Sequence, residues 1–241
     1  LEEPAGGWKR VEHVGVVGPR RCARRACDRE PGVDVRDGAG VLLRAGPDRL
    51  DGFLSSAYWY LGLVAAVGIE RLVELVISRR HAASALARGG VEYGTRHFRW
   101  MALLHTGSLI AAPVEVFLLR PPFHPGLGWS ALTVVVAAQA IRYWAIATLG
   151  SRWNVRVIVV PGEPAGTTGP YRWLRHPNYL AVVLEGVALP MVHGAAWTAV
   201  VFTILNAWVL SVRIRCEEKA LEDHNHYRRR LQGRARLFPG F

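Results

Sequence analysis

The chain has 241 residues, is 51% hydrophobic and carries a formal net charge of +11. Its mean hydropathy of +0.14 is high for so basic a composition, so the apolar residues must be gathered into blocks with the charges outside them. The cysteines, Cys22, Cys27 and Cys216, are too few and too scattered for a disulfide framework or a spaced metal site.

Residues 1–52 are rich in Arg and Gly, hold ten Lys or Arg against nine Asp or Glu, and show no sustained apolar periodicity. They read as a disordered extension or a misassigned start without the apolar core of a signal peptide, and the working domain is expected over residues 53–241. Residues 53–69 and 195–212 carry no charged residue. At about 1.5 Å per residue each covers most of a hydrocarbon core about 30 Å thick. Between them, residues 100–119, 129–149 and 179–192 form three more apolar blocks, interrupted by His105, Pro113, Glu115, Gln139, Arg142 and Glu185. The last block is short and needs the turn at Pro177 to span. A soluble bundle tolerates such interruptions, but five blocks in one small chain fit a membrane better. The expected fold class is an all-α integral membrane protein with about five transmembrane helices.

The basic residues alternate between connections. Arg79, Arg80, Arg88, Arg96 and Arg99 crowd residues 78–99, and Arg152, Arg156, Arg172 and Arg175 crowd residues 150–176, whereas the turns at 120–128 and 193–194 are short and nearly uncharged. The positive-inside tendency then places these two loops and the basic tail in the cytoplasm. Arginines that flank spans match anionic headgroups of membrane lipids better than nucleic acid. Glu70, Glu74, Glu115, Arg142 and Glu185 fall in or beside the blocks and are expected to pair with one another or line a cavity, pairing being favoured over direct catalysis. His81, His97, His105, His124 and His193 are scattered and read as loop or interface histidines. No glycine-rich phosphate loop or dinucleotide fingerprint appears.

Two polar clusters share the cytoplasmic face. The first is GPYRWLRHPNY at 169–179, immediately before an apolar block. Pro177 suits the first turn of a helix, which puts Arg175 and His176 at an entrance that favours an anionic group. The second is Arg213, Arg215, Glu217 and Glu218, directly after the last block; Arg213 and Glu217 are four apart, and by themselves they read as an interfacial salt bridge.

Together, GPYRWLRHPNYL at 169–180 and RIRCEEKAL at 213–221, followed by HNHYRRRL, resemble the isoprenylcysteine carboxyl methyltransferase family of integral membrane enzymes. IERLVELVISRR at 69–80 is similar to the bacterial branch, and the resemblance covers about residues 53–241. It implies a helical membrane enzyme of the bacterial plasma membrane, with a cytoplasmic C-terminal catalytic region that uses S-adenosylmethionine. Carried over by position, it implies cofactor contacts from Tyr171, His176, Pro177, Asn178, Tyr179 and Glu217, with Ala165 and Gly166 in the segment before Gly169, and it sets Arg213 toward the substrate as the catalytic candidate. The chemistry agrees: a carboxylate suits a sulfonium, a helix entrance suits an amino-acid head, and tyrosine rings suit adenine.

The acceptor stays open. The resemblance implies a lipophilic molecule entering from the bilayer, methylated on a carboxyl, as in a prenylated cysteine, or on a hydroxyl, as in an alkylpyrone or phenolic lipid. A carboxylate is already ionised near neutral pH and needs only orientation by Arg213, whereas an ordinary alcohol needs a general base. Two rival readings are an NADPH-dependent membrane reductase, since sterol-reductase-like proteins carry HPNY-like tracts, and a non-catalytic lipid-binding scaffold.

Overall fold

The computed structural model describes residues 47–225, 231 and 233–237. Its α-helices are α1 (Pro47–Ala87), α2 (Thr95–Leu119), α3 (Pro125–Leu149), α4 (Pro177–Met191) and α5 (Ala196–Asn225). Two short strands, β1 (Val91–Tyr93) and β2 (Val157–Val159), pair antiparallel with Glu92 opposite Ile158. The helix α1 starts before residue 53, and the earlier part of the expected extension lies outside the described residues.

Local chemistry explains the boundaries. Pro125 and Pro177 each open a helix at a position where a missing N–H costs nothing. The helix α2 closes on Arg120 in the left-handed region (φ 47), whose N–H returns to the Val116 carbonyl.

The protein is mostly helical, and among the described residues three stretches, Thr95–Leu119, Pro125–Arg152 and Ala196–Asn225, are long and apolar enough to cross a membrane. By contrast α4 has 15 residues, about 22 Å of helix and short of a full hydrocarbon core. Large apolar side chains stand outward along the bundle: Leu72, Leu103, Ile110, Leu118, Val136, Ile204 and Trp208 are all exposed, a surface that suits lipid rather than water. Inside, Tyr60, Val64 and Val67 of α1 recur at helical spacing and meet Val116 of α2, Val135 of α3 and Leu189 of α4. Small residues let the helices approach closely. At Gly186 an added Cβ would lie 1.9 Å from the Phe202 ring, so only glycine permits the contact between α4 and α5.

Glu70, Glu74, Arg142 and Glu185 pair within one charged network, whereas Glu115 is held by backbone and hydroxyl donors rather than by a charge. Glu115 accepts from the Trp197 and Thr198 N–H groups at 3.0 and 2.7 Å and from the Thr198 hydroxyl at 2.7 Å, so it caps the first turn of α5 from a different helix. Glu185 of α4 accepts from Arg71 of α1 at 2.9 Å and from Arg142 of α3 at 2.8 Å. Arg71 also donates to Glu74 at 2.5 Å, and the Gln139 carbonyl accepts from both guanidines at 3.1 and 3.3 Å while its amide donates to Glu70. One network thus ties α1, α3 and α4 together. His193, in the turn between α4 and α5, is a core residue: its Nε2 lies 3.0 Å from the Ser56 hydroxyl, and its ring packs among Phe53, Tyr60 and Phe123. Burial lowers its imidazole pKa below the ordinary value, so it packs as a neutral ring.

Glu185→Ala strips the shared acceptor from Arg71 and Arg142, the latter only 4% exposed. Removing one partner of a buried charge network costs about 3–5 kcal/mol, which for a domain of this size lowers the thermal unfolding midpoint by about 10 °C. Thermal unfolding in detergent checks this, and an unchanged midpoint contradicts the network's role.

Candidate cofactor site

The connection from α3 to α4 is long, and buried polar contacts hold it against α1 and α5. A 3-10 turn at Gly150–Arg152 leads into Trp153, which is buried and whose carbonyl accepts from His81 Nδ1 at 2.8 Å. Ser78, at the end of the charged half of α1, donates to Asn154 Oδ1 at 2.7 Å and accepts from the Val155 N–H at 3.0 Å. Pairing of β2 with β1 carries the chain across to α5, where Asn225 accepts from the Gly162 N–H at 2.8 Å and Tyr93 of β1 meets His224 at 2.5 Å. A second 3-10 turn, Gly169–Arg172, delivers Tyr171. Gly169 has φ +54, and a Cβ there would lie 2.3 Å from the Thr148 hydroxyl, so a side chain is excluded on both counts.

The C-terminal segment closes the arrangement from outside. Leu174 bridges to Ala235 in parallel register, with the Arg175 and His176 N–H groups donating to the Ala235 and Arg236 carbonyls at 2.8 and 3.1 Å. Glu218 is the hub beneath this bridge: it accepts from Arg236 at 3.1 and 2.7 Å, from His176 Nε2 at 3.3 Å, and sits 3.6 Å from Arg175. His176 is consequently buried and its ring stacks on Tyr179, with centroids 5.3 Å apart and planes 18° off parallel.

Between loop, α4 and α5 lies a cavity of about 160 Å³. Of the residues singled out in sequence, Ala165, Gly166, Tyr171, His176, Asn178, Tyr179 and Glu217 line it. Pro177 does not; it is buried as the first residue of α4. Arg213 is also off the wall. It is 3% exposed and stands behind Tyr179, with Nε donating to the Tyr179 hydroxyl at 2.7 Å and its terminal nitrogen to the Val155 carbonyl. The Tyr179 hydroxyl donates in turn to Glu217. The expected direct salt bridge between Arg213 and Glu217 is therefore replaced by a bridge through a phenol, because the Tyr179 ring of α4 occupies the space between them.

Several wall groups await a partner. Asn178 Oδ1 and Trp153 Nε1 are buried on this cavity and find no hydrogen-bond partner among the described residues. Buried polar atoms are nearly always satisfied, and the same lack recurs away from the cavity at Tyr60 Oη, Glu70 Oε1, Glu74 Oε1, His97 Nε2, His193 Nδ1 and Asn206 Oδ1. Burial, and then the charge of Glu217, push the Tyr171 hydroxyl above its usual pKa, so it stays a neutral phenol. Gly166 backs against Leu149, 2.7 Å from where a Cβ would stand, with the Tyr171 ring beside it at 4.0 Å. The featureless Ala165–Gly166 segment is thus useful because it is small. Sequence reasoning missed Trp153, Asn225 and the hub role of Glu218; the adjacency of Glu217 and Glu218 hinted that one faces inward and the other sideways on the helix, but their partners are far away in the chain.

A helical membrane bundle with an elaborated loop and C-terminal helix around one polar cavity defines the class, and the chain belongs to the isoprenylcysteine carboxyl methyltransferase family of membrane methyltransferases. That family's sequence profile matches residues 131–223, covering the loop, α4 and most of α5. The chain is 34% identical over 169 residues to the uncharacterized protein YpbQ of Bacillus subtilis (strain 168), a match spanning 70% of this chain and 98% of that protein. It is 28% identical over 152 residues to an uncharacterized protein of Haemophilus influenzae, spanning 63% of this chain and 88% of that protein.

Glu218→Ala releases His176, Arg175 and Arg236 together. Hydrogen bonds to a charged group are worth about 1.5–3 kcal/mol, so the variant should unfold several degrees lower in a thermal scan in detergent. An unchanged unfolding midpoint contradicts the role of the hub.

Proposed function

We propose that this protein is an S-adenosylmethionine-dependent O-methyltransferase, acting on a hydroxyl or carboxyl group of a lipophilic acceptor that reaches the site through the bilayer. Residues 53–241 carry the activity, the five helices lie in a bacterial plasma membrane, and the cavity opens to the cytoplasm. One observation carries the reading: a single cavity gathers Tyr171, His176, Asn178, Tyr179 and Glu217, with Asn178 Oδ1 left without a partner among the described residues. The orientation is supported by Arg152, Arg156, Arg172 and Arg175 in the connection from α3 to α4, with Arg79 and Arg80 in the charged C-terminal half of α1.

The residues present suit the cofactor. Glu217 supplies the negative charge that a sulfonium calls for, the Tyr171 ring supplies a flat apolar face, and Asn178 Oδ1 with Trp153 Nε1 offers an acceptor and a donor for polar edges of the nucleoside. Arg152, Arg156 and Arg175 stand on the wall and balance Glu217 for the amino-acid carboxylate. When bound, S-adenosylmethionine supplies an electrophilic methyl group. The protein's part is to hold the acceptor oxygen in line with that group and keep water out. The stacked His176 and Tyr179 rings and the buried Trp153 form walls that exclude water, and the lipid-facing surface of α2, α3 and α5 leaves the acceptor's tail in hydrocarbon.

Calorimetry on the detergent-purified full chain tests this with S-adenosylmethionine, S-adenosylhomocysteine and NADPH. The expected result is micromolar binding of both adenosyl ligands, weakened at least tenfold by Glu217→Ala in a folded protein. Binding of NADPH alone transfers the function to a reductase, and binding of none supports a scaffold.

A further inference from the structure

We infer that Arg172, held on Trp173 beside Trp144, binds the headgroup of an anionic phospholipid, and that a lipid seated there steadies the cavity through the turn that Arg172 shares with Tyr171. The link to the cavity rests on the methyltransferase reading above; the lipid site does not.

Most arginines in the connection from α3 to α4 have acceptors within the protein. Arg152 donates to the Pro164 carbonyl, Arg156 pairs with Glu92, and Arg175 lies 3.6 Å from Glu218. Arg172 differs. It is exposed, it has no hydrogen bond or ion pair among the described residues, and its guanidinium carbon lies 4.6 Å from the centre of the Trp173 ring. The negative face of an indole attracts a cation, which fixes where the guanidinium stands but satisfies none of its five N–H donors. An exposed guanidinium held in this way matches a phosphate, which it can grip through two parallel N–H···O bonds.

The surroundings point to a phosphate at the membrane surface. Trp173 is 52% exposed and meets Trp144 of α3 edge-on, with ring centres 5.7 Å apart. Trp144 and its neighbour Tyr143 are exposed as well, and both stand in the last two turns of α3, within a stretch long and apolar enough to cross a membrane. Exposed tryptophan and tyrosine at the end of such a helix sit at headgroup level, where lipid phosphates are. The basic loop favours a headgroup of net negative charge over a zwitterionic one.

The same turn reaches the cavity. Arg172 ends the 3-10 turn Gly169–Arg172, and the residue before it, Tyr171, lines the cavity. The turn is seated on α3, because Gly169 leaves no room for a Cβ against the Thr148 hydroxyl, and Thr148 in turn donates to the Trp144 carbonyl at 2.7 Å. A phosphate on Arg172 thus restrains the segment that presents Tyr171, and by linkage the lipid and the adenosyl ligand tighten each other by the same factor.

The test uses the full chain in bilayer nanodiscs of phosphatidylcholine, with and without phosphatidylglycerol, and reads both the thermal unfolding midpoint and the calorimetric affinity for S-adenosylhomocysteine. Phosphatidylglycerol is expected to raise the midpoint and to tighten binding about fivefold. Both effects should vanish in Arg172→Gln, whose affinity in phosphatidylcholine alone matches that of the parent, and should largely return in Arg172→Lys. An effect of the same size in Arg172→Gln, or none in the parent, overturns the lipid site. So does an equal effect from glycerol phosphate added to phosphatidylcholine discs, which assigns a free phosphate instead. A raised midpoint without tighter ligand binding overturns the link to the cavity and leaves an anchoring site. If the parent binds no adenosyl ligand in either membrane the methyltransferase reading falls, while the midpoint still decides the lipid site.

Discussion

Hydrocarbon offers no hydrogen bonds, and every polar group this chain carries into its bundle has to find its partner within the protein. That constraint shapes the molecule at three depths. Helices satisfy the backbone. The guanidines of Arg71 and Arg142 share Glu185, with Glu74 and Gln139 close by, so that α1, α3 and α4 hold one another through side chains rather than through tight apolar packing alone. Glu115 supplies the cap that the first turn of α5 lacks from its own preceding residues, Gly194 and Ala195.

At the polar end of the bundle the same rule yields a site. Once α5 passes its apolar stretch, its carboxylates diverge: Glu218 gathers His176, Arg175 and Arg236, while Glu217 lines the cavity and accepts a hydrogen bond from the Tyr179 hydroxyl. Neighbours in sequence point about 100° apart on a helix, so two adjacent acids have different surroundings, one holding the C-terminal segment and the other lining the cavity. Asn178 and Trp153, whose Oδ1 and Nε1 atoms lack a hydrogen-bond partner among the described residues, both line the cavity. Other unpartnered atoms lie elsewhere, Tyr60 Oη in the apolar core and Glu70 Oε1 and Glu74 Oε1 in the charged network of α1.

The loop between α3 and α4 shows how a site is built at a membrane surface without a separate domain. Ser78 and His81 extend α1 past its apolar half and clasp Asn154 and Trp153, β1 braces β2, and Asn225 holds Gly162 from the far end of α5. Each contact is modest, about 1 kcal/mol, and together they hold Tyr171 and the small Ala165–Gly166 segment against α4 and α5.

Much of this was readable in the chain itself. Uncharged runs of membrane length announce helices because the transfer of a charge into hydrocarbon is costly. Pro177 and the HPNY tract mark the start of α4 because proline fixes φ and removes a donor. The motif residues Tyr171, His176, Asn178, Tyr179 and Glu217 do converge on one cavity, since all but Glu217 are consecutive or nearly so around a helix start. Contacts across sequence were not readable. The place of Arg213 behind Tyr179, the bridge that replaces its salt link to Glu217, the hub at Glu218 and the grip of Ser78 on Asn154 depend on which faces of distant helices meet. Periodicity states that a face exists; only packing decides what stands opposite it, because side chains of similar polarity are interchangeable to a local pattern but not to a hydrogen bond about 3 Å long.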